Sequence, residues 1–304
     1  MTYDIAIIGC GPAGLTAAIY ALRANKKVVI FEKENIGGKI TSSPLVENYP
    51  GFKEISGTEF ANHLYEQVES LGGDIILEEV TAIKNGKLKN VITEDDTYKC
   101  RSIIIATGSK YRMLGLEKEE DFIGNGISFC VACDGAFYLN QTVAVIGGGN
   151  SAIINAISLS DICKKVYVVQ NENVLTGEKV LIERLLKNKN VEVLYNSLVT
   201  ELKGEDELTG IKVKNTKDET EKVLKLDGMF VSIGQVPESD FLKKTINLGP
   251  NAYIESDESC KTNVDGIFVA GDCRTKKIRQ LTTATSDGTI AALQAVEYLD
   301  KSSK

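Results

Sequence analysis

The chain has 304 residues, of which 43% are hydrophobic and 27 are glycine, so it can bury one large core or two ordinary ones. Its formal net charge is -7, which excludes an overall positive field that would attract nucleic acid or an anionic membrane. No apolar run approaches the ~20 residues that span a bilayer, and a predicted strand at Tyr3 leaves no room for a signal peptide. We therefore expect a cytoplasmic protein that binds neither nucleic acid nor membrane.

The first elements along the chain predict a strand, a glycine turn, a helix and a second strand. Tyr3 to Ile8 is a short apolar run, Gly9 to Gly14 reads GCGPAG, and a helical pattern continues to Ala24. The next predicted strand, Lys27 to Phe31, ends on Glu32. This order is typical of a βαβ nucleotide-binding unit in which the acidic residue meets a ribose hydroxyl.

Each glycine of the first turn has a separate role in such a unit. Gly9 permits the tight turn, Gly11 lets the backbone approach a pyrophosphate, and Gly14 allows close packing of the helix. The helix N-terminus then presents N–H groups and the positive end of its dipole to the phosphates. Cys10, inside the loop, is interpreted only as a small residue.

The same signal returns in the middle of the chain. Gln141 to Ile146 predicts a strand, Gly147 to Ala152 reads GGGNSA, and a helical stretch follows. The sequence therefore predicts an α/β protein with two Rossmann-like nucleotide-binding folds. The second ribose position differs, because the strand Lys165 to Val169 ends at Gln170, which is neither an acid for NAD nor the start of a basic cluster for NADP.

A CxxC pair precedes the second fold. Cys130 and Cys133 are followed by Asp134 and a glycine. A zinc site would need two further ligands, and neither a second CxxC nor a nearby histidine is present, so a redox disulfide is favoured over a metal clip. One thiolate can attack a disulfide while the other resolves the mixed disulfide. Asp134 can serve as the nearby proton donor or acceptor, although Asp-Gly is also typical of a turn.

A series of short motifs, read together, resembles the low-molecular-weight thioredoxin reductases nearly from end to end. The motifs are GCGPAG, Gly37-Gly38, Glu47 to Gly51 (ENYPG), Ala106 to Gly108 (ATG), CVACDG, GGGNSA, and Gly266 to Cys273 (GIFVAGDC) followed by Arg279-Gln280.

This resemblance implies an FAD-binding domain of residues 1-113 and 247-304, and an inserted module of residues 114-246 that resembles an NAD(P) domain and carries the CxxC pair. It implies a homodimer in which Cys133 faces the flavin, Cys130 attacks thioredoxin and Asp134 handles the proton. The cofactor-binding residues that it implies are Gly9, Gly11, Pro12, Ala13, Gly14, Glu32, Gly38, Asn48, Ala106, Thr107, Gly108, Gly271, Asp272, Arg279 and Gln280.

One departure from the family concerns the electron donor. Members that use NADPH carry an HRRxxxR stretch whose arginines grip the 2′-phosphate, whereas Gln170 to Thr176 of this chain reads QNENVLT. Ile154 and Asn155 also stand where the family usually carries acids. NADPH is therefore not expected as the donor, and in this respect the chain resembles the ferredoxin-dependent flavin thioredoxin reductases.

The leading hypothesis from the sequence is that reduced ferredoxin passes electrons to FAD, then to Cys130 and Cys133, and then to thioredoxin. The alternatives are an NAD(P)H-dependent disulfide reductase, with NADH the nearer rival, a flavin-dependent dithiol oxidase, and a non-enzymatic protein with a structural zinc clip. A basic cluster after the last motif is the candidate contact for an acidic ferredoxin; it comprises Arg274, Lys276, Lys277 and Arg279.

Overall fold

The structure is a computed structural model that describes residues 1–43 and 45–302. Its chain forms two compact units: unit 1 comprises Met1–Lys110 with Val236–Lys304, and unit 2 comprises Tyr111–Gln235. The chain returns to unit 1 earlier than the predicted boundary at residues 246 and 247. Leu242 and Ile246 account for this difference, because both are buried in an apolar cluster of unit 1.

The regular elements confirm the α/β class. The helices are α1 (Pro12–Arg23), α2 (Gly57–Ser70), α3 (Val131–Asp134), α4 (Asn150–Ser160), α5 (Lys179–Leu186) and α6 (Leu281–Lys301). The strands are β1 (Thr2–Ile8), β2 (Val28–Phe31), β3 (Asp74–Ile76), β4 (Val80–Lys84), β5 (Lys89–Thr93), β6 (Thr97–Ile105), β7 (Ser109–Tyr111), β8 (Ile127–Ser128), β9 (Thr142–Ile146), β10 (Lys165–Val169), β11 (Val191–Leu194), β12 (Ser197–Lys203), β13 (Gly210–Asn215), β14 (Glu221–Lys225), β15 (Gly228–Val231), β16 (Gln235–Pro237) and β17 (Ile267–Val269).

Unit 1 is built on a sheet in the order β3-β2-β1-β6-β5-β4, with β17 also paired to β6. The strands β1, β2, β3, β6 and β17 pair in parallel, and β4 and β5 add an antiparallel edge. Because β2 and β6 lie on opposite sides of β1, the loop after β1 opens at a switch in strand order, where open α/β sheets bind ligands.

Two helices close one face of this sheet by packing their small residues together. Ala17 and Ala21 of α1 share a buried cluster with Ala291 and Ala295 of α6. A Cβ on Gly288 of α6 would lie 2.3 Å from the carbonyl oxygen of Ala13. This close approach fixes the start of α1, and with it the loop that precedes the helix.

Unit 2 repeats the parallel arrangement on a smaller scale. Its main sheet has the order β11-β10-β9-β15-β8 and is parallel throughout. A separate antiparallel sheet, β12-β13-β14, packs its apolar residues in the same buried cluster as Ala144 and Ile146 of β9. The loop after β9 therefore has the same place in unit 2 as the loop after β1 has in unit 1.

Candidate functional site

Two positions around the turn from β1 to α1 admit only glycine: Gly9 in the loop and Gly14 in the first turn of α1. Gly9 has a φ of 106°, and a Cβ there would lie 2.4 Å from the carbonyl oxygen of Ala106. A Cβ on Gly14 would lie 1.9 Å from the carbonyl oxygen of Gly9. Such distances are far below van der Waals contact, so the turn and the close helix packing assigned to these residues are present in the structure.

The N-terminal end of α1 is open where the loop faces away from the sheet. Gly11 makes no side-chain cap, Pro12 occupies the first turn, and this turn contains no acidic residue. The nearest atom that a Cβ on Gly11 would meet is 3.8 Å away, on Gly37. Gly38 approaches the same point, because its own Cβ would lie 3.3 Å from the Cα of Gly11. An uncapped helix start in a cradle of glycines fits the pyrophosphate of a dinucleotide.

Glu32 is held by backbone groups at the end of β2. Its Oε2 accepts a hydrogen bond from the N–H of Cys10 at 2.8 Å, and its Oε1 accepts from the N–H groups of Lys33 and Glu34, both at 2.9 Å. Hydrogen bonds from N–H groups to a carboxylate are among the stronger kind. They fix the acid beside the glycine loop, at the position where a ribose hydroxyl binds in this fold.

Further predicted cofactor residues converge on the same region of unit 1. The carbonyl group of Ala106 contacts Gly9, and a Cβ on Gly271 would lie 3.0 Å from the Cβ of Ala13. Thr107 donates a hydrogen bond to the carbonyl oxygen of Glu238 at 3.0 Å. Residue Gly108, which follows, has a φ of 69°.

Asp272 and Arg279 are held together within this region. Nζ of Lys39 lies 3.0 Å from a carboxylate oxygen of Asp272. The guanidinium of Arg279 stacks 4.2 Å from the ring centre of Tyr253, and its Nε donates to the carbonyl oxygen of Asp272. Lys39 is a cation beside a predicted cofactor residue, and no motif in the sequence indicated it.

Asn48 and Gln280 lie at the margin of the predicted set. Asn48 is exposed, and the neighbouring Tyr49 reaches the hydroxyl of Thr285 in α6. Gln280 is the N-cap of α6, where it forms a capping box with Thr283. The structure therefore gives Gln280 a helix-capping role that is independent of any cofactor.

A buried ion cluster supports the Gly271 turn. The carboxylate of Asp287, which is 3% exposed, accepts two hydrogen bonds from Arg274 at 2.8 Å and one from Lys276 at 2.8 Å. It also accepts from the N–H of Gly271 at 3.0 Å. Burial alone would raise the pKa of Asp287, but the hydrogen bonds from Arg274 and Lys276 outweigh it and hold that pKa below its ordinary value.

This cluster corrects the prediction of a basic docking surface. Arg274 is 6% exposed and the side chain of Lys276 is 9% exposed, because both turn inward to Asp287. Arg279 lies on Tyr253, so Lys277 is the exposed member of the predicted cluster. The cluster stabilises the core of unit 1 and does not present a basic surface to an acidic partner. The sequence signal for this ion cluster was Asp287, an acidic residue on the apolar, alanine-rich face of α6.

The second glycine loop has the same turn but a different lining. Gly147 has a φ of 126°, and Ala152 stands in the place of Gly14. The side chain of Gln170 lies directly on Gly148, where a Cβ would meet its carbonyl carbon at 2.3 Å. Gln170 is 3% exposed and donates a hydrogen bond to the carbonyl oxygen of Val174 at 2.9 Å. Its Nε2 group is therefore bonded within the segment that follows β10.

Two amide side chains complete this lining. Asn150, at the start of α4, accepts a hydrogen bond from the N–H of Glu178 at 2.7 Å and donates to its carboxylate at 3.3 Å. Asn155 donates to the hydroxyl of Ser232 at 2.9 Å, while Ile154 is exposed. A carboxylate near the start of α4 opposes the binding of a phosphate group there.

The CxxC pair forms a disulfide at the start of α3. Cys130 and Cys133 have a Cα–Cα distance of 5.3 Å. The N–H groups of Cys133 and Asp134 both donate to the carbonyl oxygen of Cys130, and Phe129 stacks on Tyr111 with ring centres 4.4 Å apart. The pairing agrees with the redox disulfide that the sequence favours over a zinc clip.

Asp134 is partly buried next to this disulfide. Its Oδ2 accepts a hydrogen bond from the hydroxyl of Ser128 at 2.5 Å. Burial raises the pKa of Asp134 above its ordinary value, and the hydrogen bond from Ser128 acts in the opposite direction. A carboxyl group with a raised pKa can exchange a proton with thiols under milder conditions than an ordinary aspartate.

The five other cysteines are all buried free thiols. Burial raises the pKa of Cys10, Cys100 and Cys260 to about 12, and that of Cys163 and Cys273 to about 11. A thiol is a poor nucleophile and a poor metal ligand while it stays protonated. Across residues 1–43 and 45–302, no three side chains of His, Cys, Asp or Glu come together as a metal site requires. Within the same ranges, no helix is both long and apolar enough to cross a bilayer.

Comparison with known proteins places the chain in a family. The sequence model of the pyridine nucleotide-disulphide oxidoreductase family matches residues 3–288, so the protein belongs to that family. Membership implies FAD as the cofactor, which agrees with the fit of the first glycine loop to a dinucleotide.

More particularly, its relatives include thioredoxin reductases. The chain is 38% identical to thioredoxin reductase of Listeria monocytogenes over 304 residues, which covers 98% of this chain and 94% of that protein. It is 44% identical over 300 residues to a 34.2 kDa protein in the rubredoxin operon of Clostridium pasteurianum, which covers 97% of each chain.

Two solved structures show different degrees of likeness. The thioredoxin reductase of Streptococcus pyogenes superimposes with a TM-score of 0.94, at 39% identity and 99% coverage of both chains. A ferredoxin-flavin thioredoxin reductase of Clostridium acetobutylicum gives a TM-score of 0.54, at 30% identity and 99% coverage of both chains. The likeness to the ferredoxin-linked enzyme is therefore the more distant of the two.

Proposed function

We propose that this protein is an FAD-dependent thioredoxin reductase. The observation that carries the proposal is the Cys130–Cys133 disulfide beside the partly buried Asp134, in a chain that also carries an open dinucleotide loop. The similarity to thioredoxin reductases from Listeria monocytogenes and Streptococcus pyogenes supports thioredoxin as the partner. A homodimer and a cytoplasmic location stay predictions.

The cofactor residues form one set in unit 1. Gly9, Gly11 and Gly14 would receive the pyrophosphate on backbone N–H groups, and Glu32 would bind a ribose hydroxyl. Asp272 and Arg279, held to each other through the carbonyl group of Asp272, would line the remainder of the cofactor. FAD, when bound, supplies the electron pair that reduces the disulfide.

The cysteines then transfer this pair by thiol–disulfide exchange. Two electrons and one proton convert the Cys130–Cys133 bond into a Cys130 thiolate and a Cys133 thiol. The Cys130 thiolate attacks the disulfide of thioredoxin to form a mixed disulfide, and the thioredoxin thiolate that this attack displaces takes a second proton from solvent. Cys133 attacks Cys130, which reforms the bond and releases thioredoxin as a dithiol. Asp134 takes the proton that Cys133 loses and returns it to the leaving thiolate. The net result is the transfer of two electrons and two protons to thioredoxin.

For the electron donor, the comparisons favour the nicotinamide alternative over the ferredoxin hypothesis. The family is that of pyridine nucleotide-disulphide oxidoreductases, and the second loop keeps the glycine spacing of Gly147 to Ala152. We propose NADH in preference to NADPH, because residues 170–178 contain no arginine or lysine to bind a 2′-phosphate and Glu172 would repel one.

Ferredoxin is the second candidate donor, and one observation favours it. Gln170 lies on Gly148 and its Nε2 donates to Val174, so the second loop has no ribose-binding acid at this position. A reductase without a working nicotinamide site must receive electrons from another carrier. Reduced ferredoxin fits because flavins exchange single electrons as well as pairs.

An anaerobic donor assay tests these proposals together. The purified yellow protein is mixed with NADH, NADPH or reduced ferredoxin, and flavin bleaching and thioredoxin reduction are followed. We expect NADH to bleach the flavin faster than NADPH and to sustain the formation of thioredoxin thiols. Bleaching by ferredoxin alone would move the assignment to that donor. Oxygen consumption with small dithiols, without bleaching by any donor, would indicate the dithiol oxidase.

A paired variant sharpens the choice between the nucleotides. Asn171→Arg with Glu172→Arg introduces two cations at exposed positions after β10. Charge-assisted hydrogen bonds of about 1.5 to 3 kcal/mol each should improve NADPH binding by at least tenfold relative to NADH. Asn171→Gln with Glu172→Gln is the control that removes the acid without adding a cation. An unchanged preference in the arginine variant would argue against nucleotide binding at this loop.

A further inference from the structure

A buried serine connects the disulfide to its acid. Ser128 ends β8 and is 5% exposed. Its hydroxyl donates to Oδ2 of Asp134 at 2.5 Å and accepts from the N–H of Cys130 at 3.1 Å. One hydroxyl group therefore orients both the acid and the backbone of the first redox cysteine.

The other oxygen of Asp134 is the atom that this arrangement leaves available. Oδ1 is buried and has no hydrogen-bond partner among the described residues. A buried polar atom without a partner is costly, and a catalytic role is one recognised reason for its presence. Because Ser128 occupies Oδ2, a proton that arrives at the carboxylate is accepted at Oδ1.

The surroundings leave few other charges to control this carboxyl group. Tyr138 is the titratable group that interacts electrostatically with Asp134, and burial raises the pKa of Tyr138 to about 12, so it is neutral; Asp227 acts on Tyr138. The neighbouring elements β9, β15 and α4 contain no charged residue. The hydroxyl of Ser128 is thus the one polar side chain bonded to Asp134 in the described structure.

We propose that Ser128 is a positioning residue for thioredoxin reduction, which holds Asp134 with Oδ1 free for the proton of Cys133 and fixes the N–H of Cys130. This proposal rests on the proposed function. In the resolving step, a Cys133–Cys130 bond forms, the bond from Cys130 to thioredoxin breaks, and the electron pair leaves on the thioredoxin sulfur. The proton passes from Cys133 to Oδ1 and then to that sulfur.

The proposal predicts a direction for the effect of removing the hydroxyl. The hydrogen bond that Ser128 donates favours the ionised form of Asp134. Without it, the carboxylate loses a stabilising partner and protonates at higher pH. The limb of the pH–rate profile that depends on Asp134 should therefore move upward by about one pH unit.

The test uses the whole protein and does not depend on the electron donor. Enzyme reduced with stoichiometric dithionite is mixed with oxidised thioredoxin, and single-turnover rates are measured from pH 5 to 9. The chain contains no tryptophan, so tryptophan fluorescence reports on thioredoxin alone. Asp134→Asn identifies the limb that belongs to this acid, because that limb disappears in the variant.

Matched variants separate positioning from a general structural effect. Ser128→Ala and Ser128→Gly both remove the hydroxyl, so the measurement does not depend on one of them folding, and Ser128→Thr keeps it. Ser197→Ala is the control, because Ser197 is also 5% exposed in unit 2 but donates to a backbone carbonyl. We expect the limb to shift with Ala and Gly at position 128 and to stay with Thr and with the control.

The two possible failures are distinguishable. If the profiles of Ser128→Ala and Ser128→Gly coincide with that of the wild type while Asp134→Asn loses the limb, the positioning role is overturned and the proposed function stands. An equal shift in Ser197→Ala also overturns it. If Asp134→Asn keeps the limb, the proton role assigned to Asp134 is itself wrong.

Discussion

The glycine loops after β1 and β9 have similar backbone hydrogen bonds but differ in the side chain that follows the next parallel strand. In the first loop, the carbonyl oxygen of Cys10 accepts from the N–H of Gly37 at 2.8 Å; in the second, that of Gly148 accepts from Thr176 at 2.8 Å. Each loop is thus tied to the segment that follows the next parallel strand, β2 in unit 1 and β10 in unit 2.

The difference lies in the residue that directly follows β2 or β10. The carboxylate of Glu32 accepts a hydrogen bond from the N–H of Cys10 in the loop. The side chain of Gln170 instead lies on Gly148, and its Nε2 donates to the carbonyl oxygen of Val174. Glycine spacing therefore determines the turn, while one polar residue some twenty positions later determines what the turn can bind. The same frame is open in unit 1 and lined by amides in unit 2.

The largest effect should follow from the buried charges that support the first loop. Asp287→Asn leaves Arg274 and Lys276 buried without their carboxylate, and we expect the free energy of unfolding to fall by about 3 kcal/mol or more at pH 7. The pKa of Asp287 is lowered in the folded state, so its contribution is present above the unfolded pKa and is lost as pH falls through the folded pKa.

Denaturant unfolding at pH 7 and in acid measures this effect. Asp300→Asn is the control in the same helix, because its partner Lys26 forms a pair that is largely exposed at Asp300 and is worth no more than about 1 kcal/mol. A loss for Asp287→Asn that stays constant into strong acid would contradict the proposed role of the carboxylate.

The next effect compares the third small residue of each loop. Gly14→Ala places a Cβ 1.9 Å from the carbonyl oxygen of Gly9 and should cost about 3 kcal/mol, with loss of bound flavin. Ala152→Gly adds no atom and should cost about 1 kcal/mol through helix propensity. Unfolding curves and flavin absorbance measure both; equal costs would mean that the close packing of α1 is not specific to the first loop.

A smaller effect isolates the contact between Gln170 and the second loop. Gly148→Ala forces the Gln170 side chain away from Val174 and should cost about 2 kcal/mol. In a Gln170→Ala background, Gly148→Ala should cost less than about 0.5 kcal/mol, because the Gln170 side chain that the new Cβ would meet is absent. A double-mutant cycle of unfolding free energies measures the difference. Additive costs would show that the two residues do not interact.

The smallest effect has the opposite sign from that of Asp287. The pKa of Asp134 is raised in the folded state, so its stabilising contribution is present below the unfolded pKa and is lost as pH rises through the folded pKa. Asp134→Asn should therefore increase stability at pH 7, by less than about 1 kcal/mol, and the gain should vanish in acid. A gain that is the same at pH 4 and pH 7 would argue that ionisation of Asp134 is not its cause.

Local spacing predicted both loops, the strands around them and the cysteine pair, because each is encoded within a few neighbouring residues. The inward turn of Arg274 and Lys276 was not predictable in this way, since their partner Asp287 lies in the following helix and only packing brings them together. The prediction of a basic surface failed for that reason. Ser128 was missed because a serine two residues before a cysteine has no motif, and its two hydrogen bonds are visible only in three dimensions.

The burial of the five remaining thiols sets the electron capacity of the protein. The Cys130–Cys133 disulfide can accept two electrons and bound FAD would accept two more, while Cys10, Cys100, Cys163, Cys260 and Cys273 are buried thiols with raised pKa values. Under the proposed function, the protein would therefore take up four electrons, although it has seven cysteines. Because the other five thiols are buried, they are not expected to form cross-links that would compete with the Cys130–Cys133 pair for electrons.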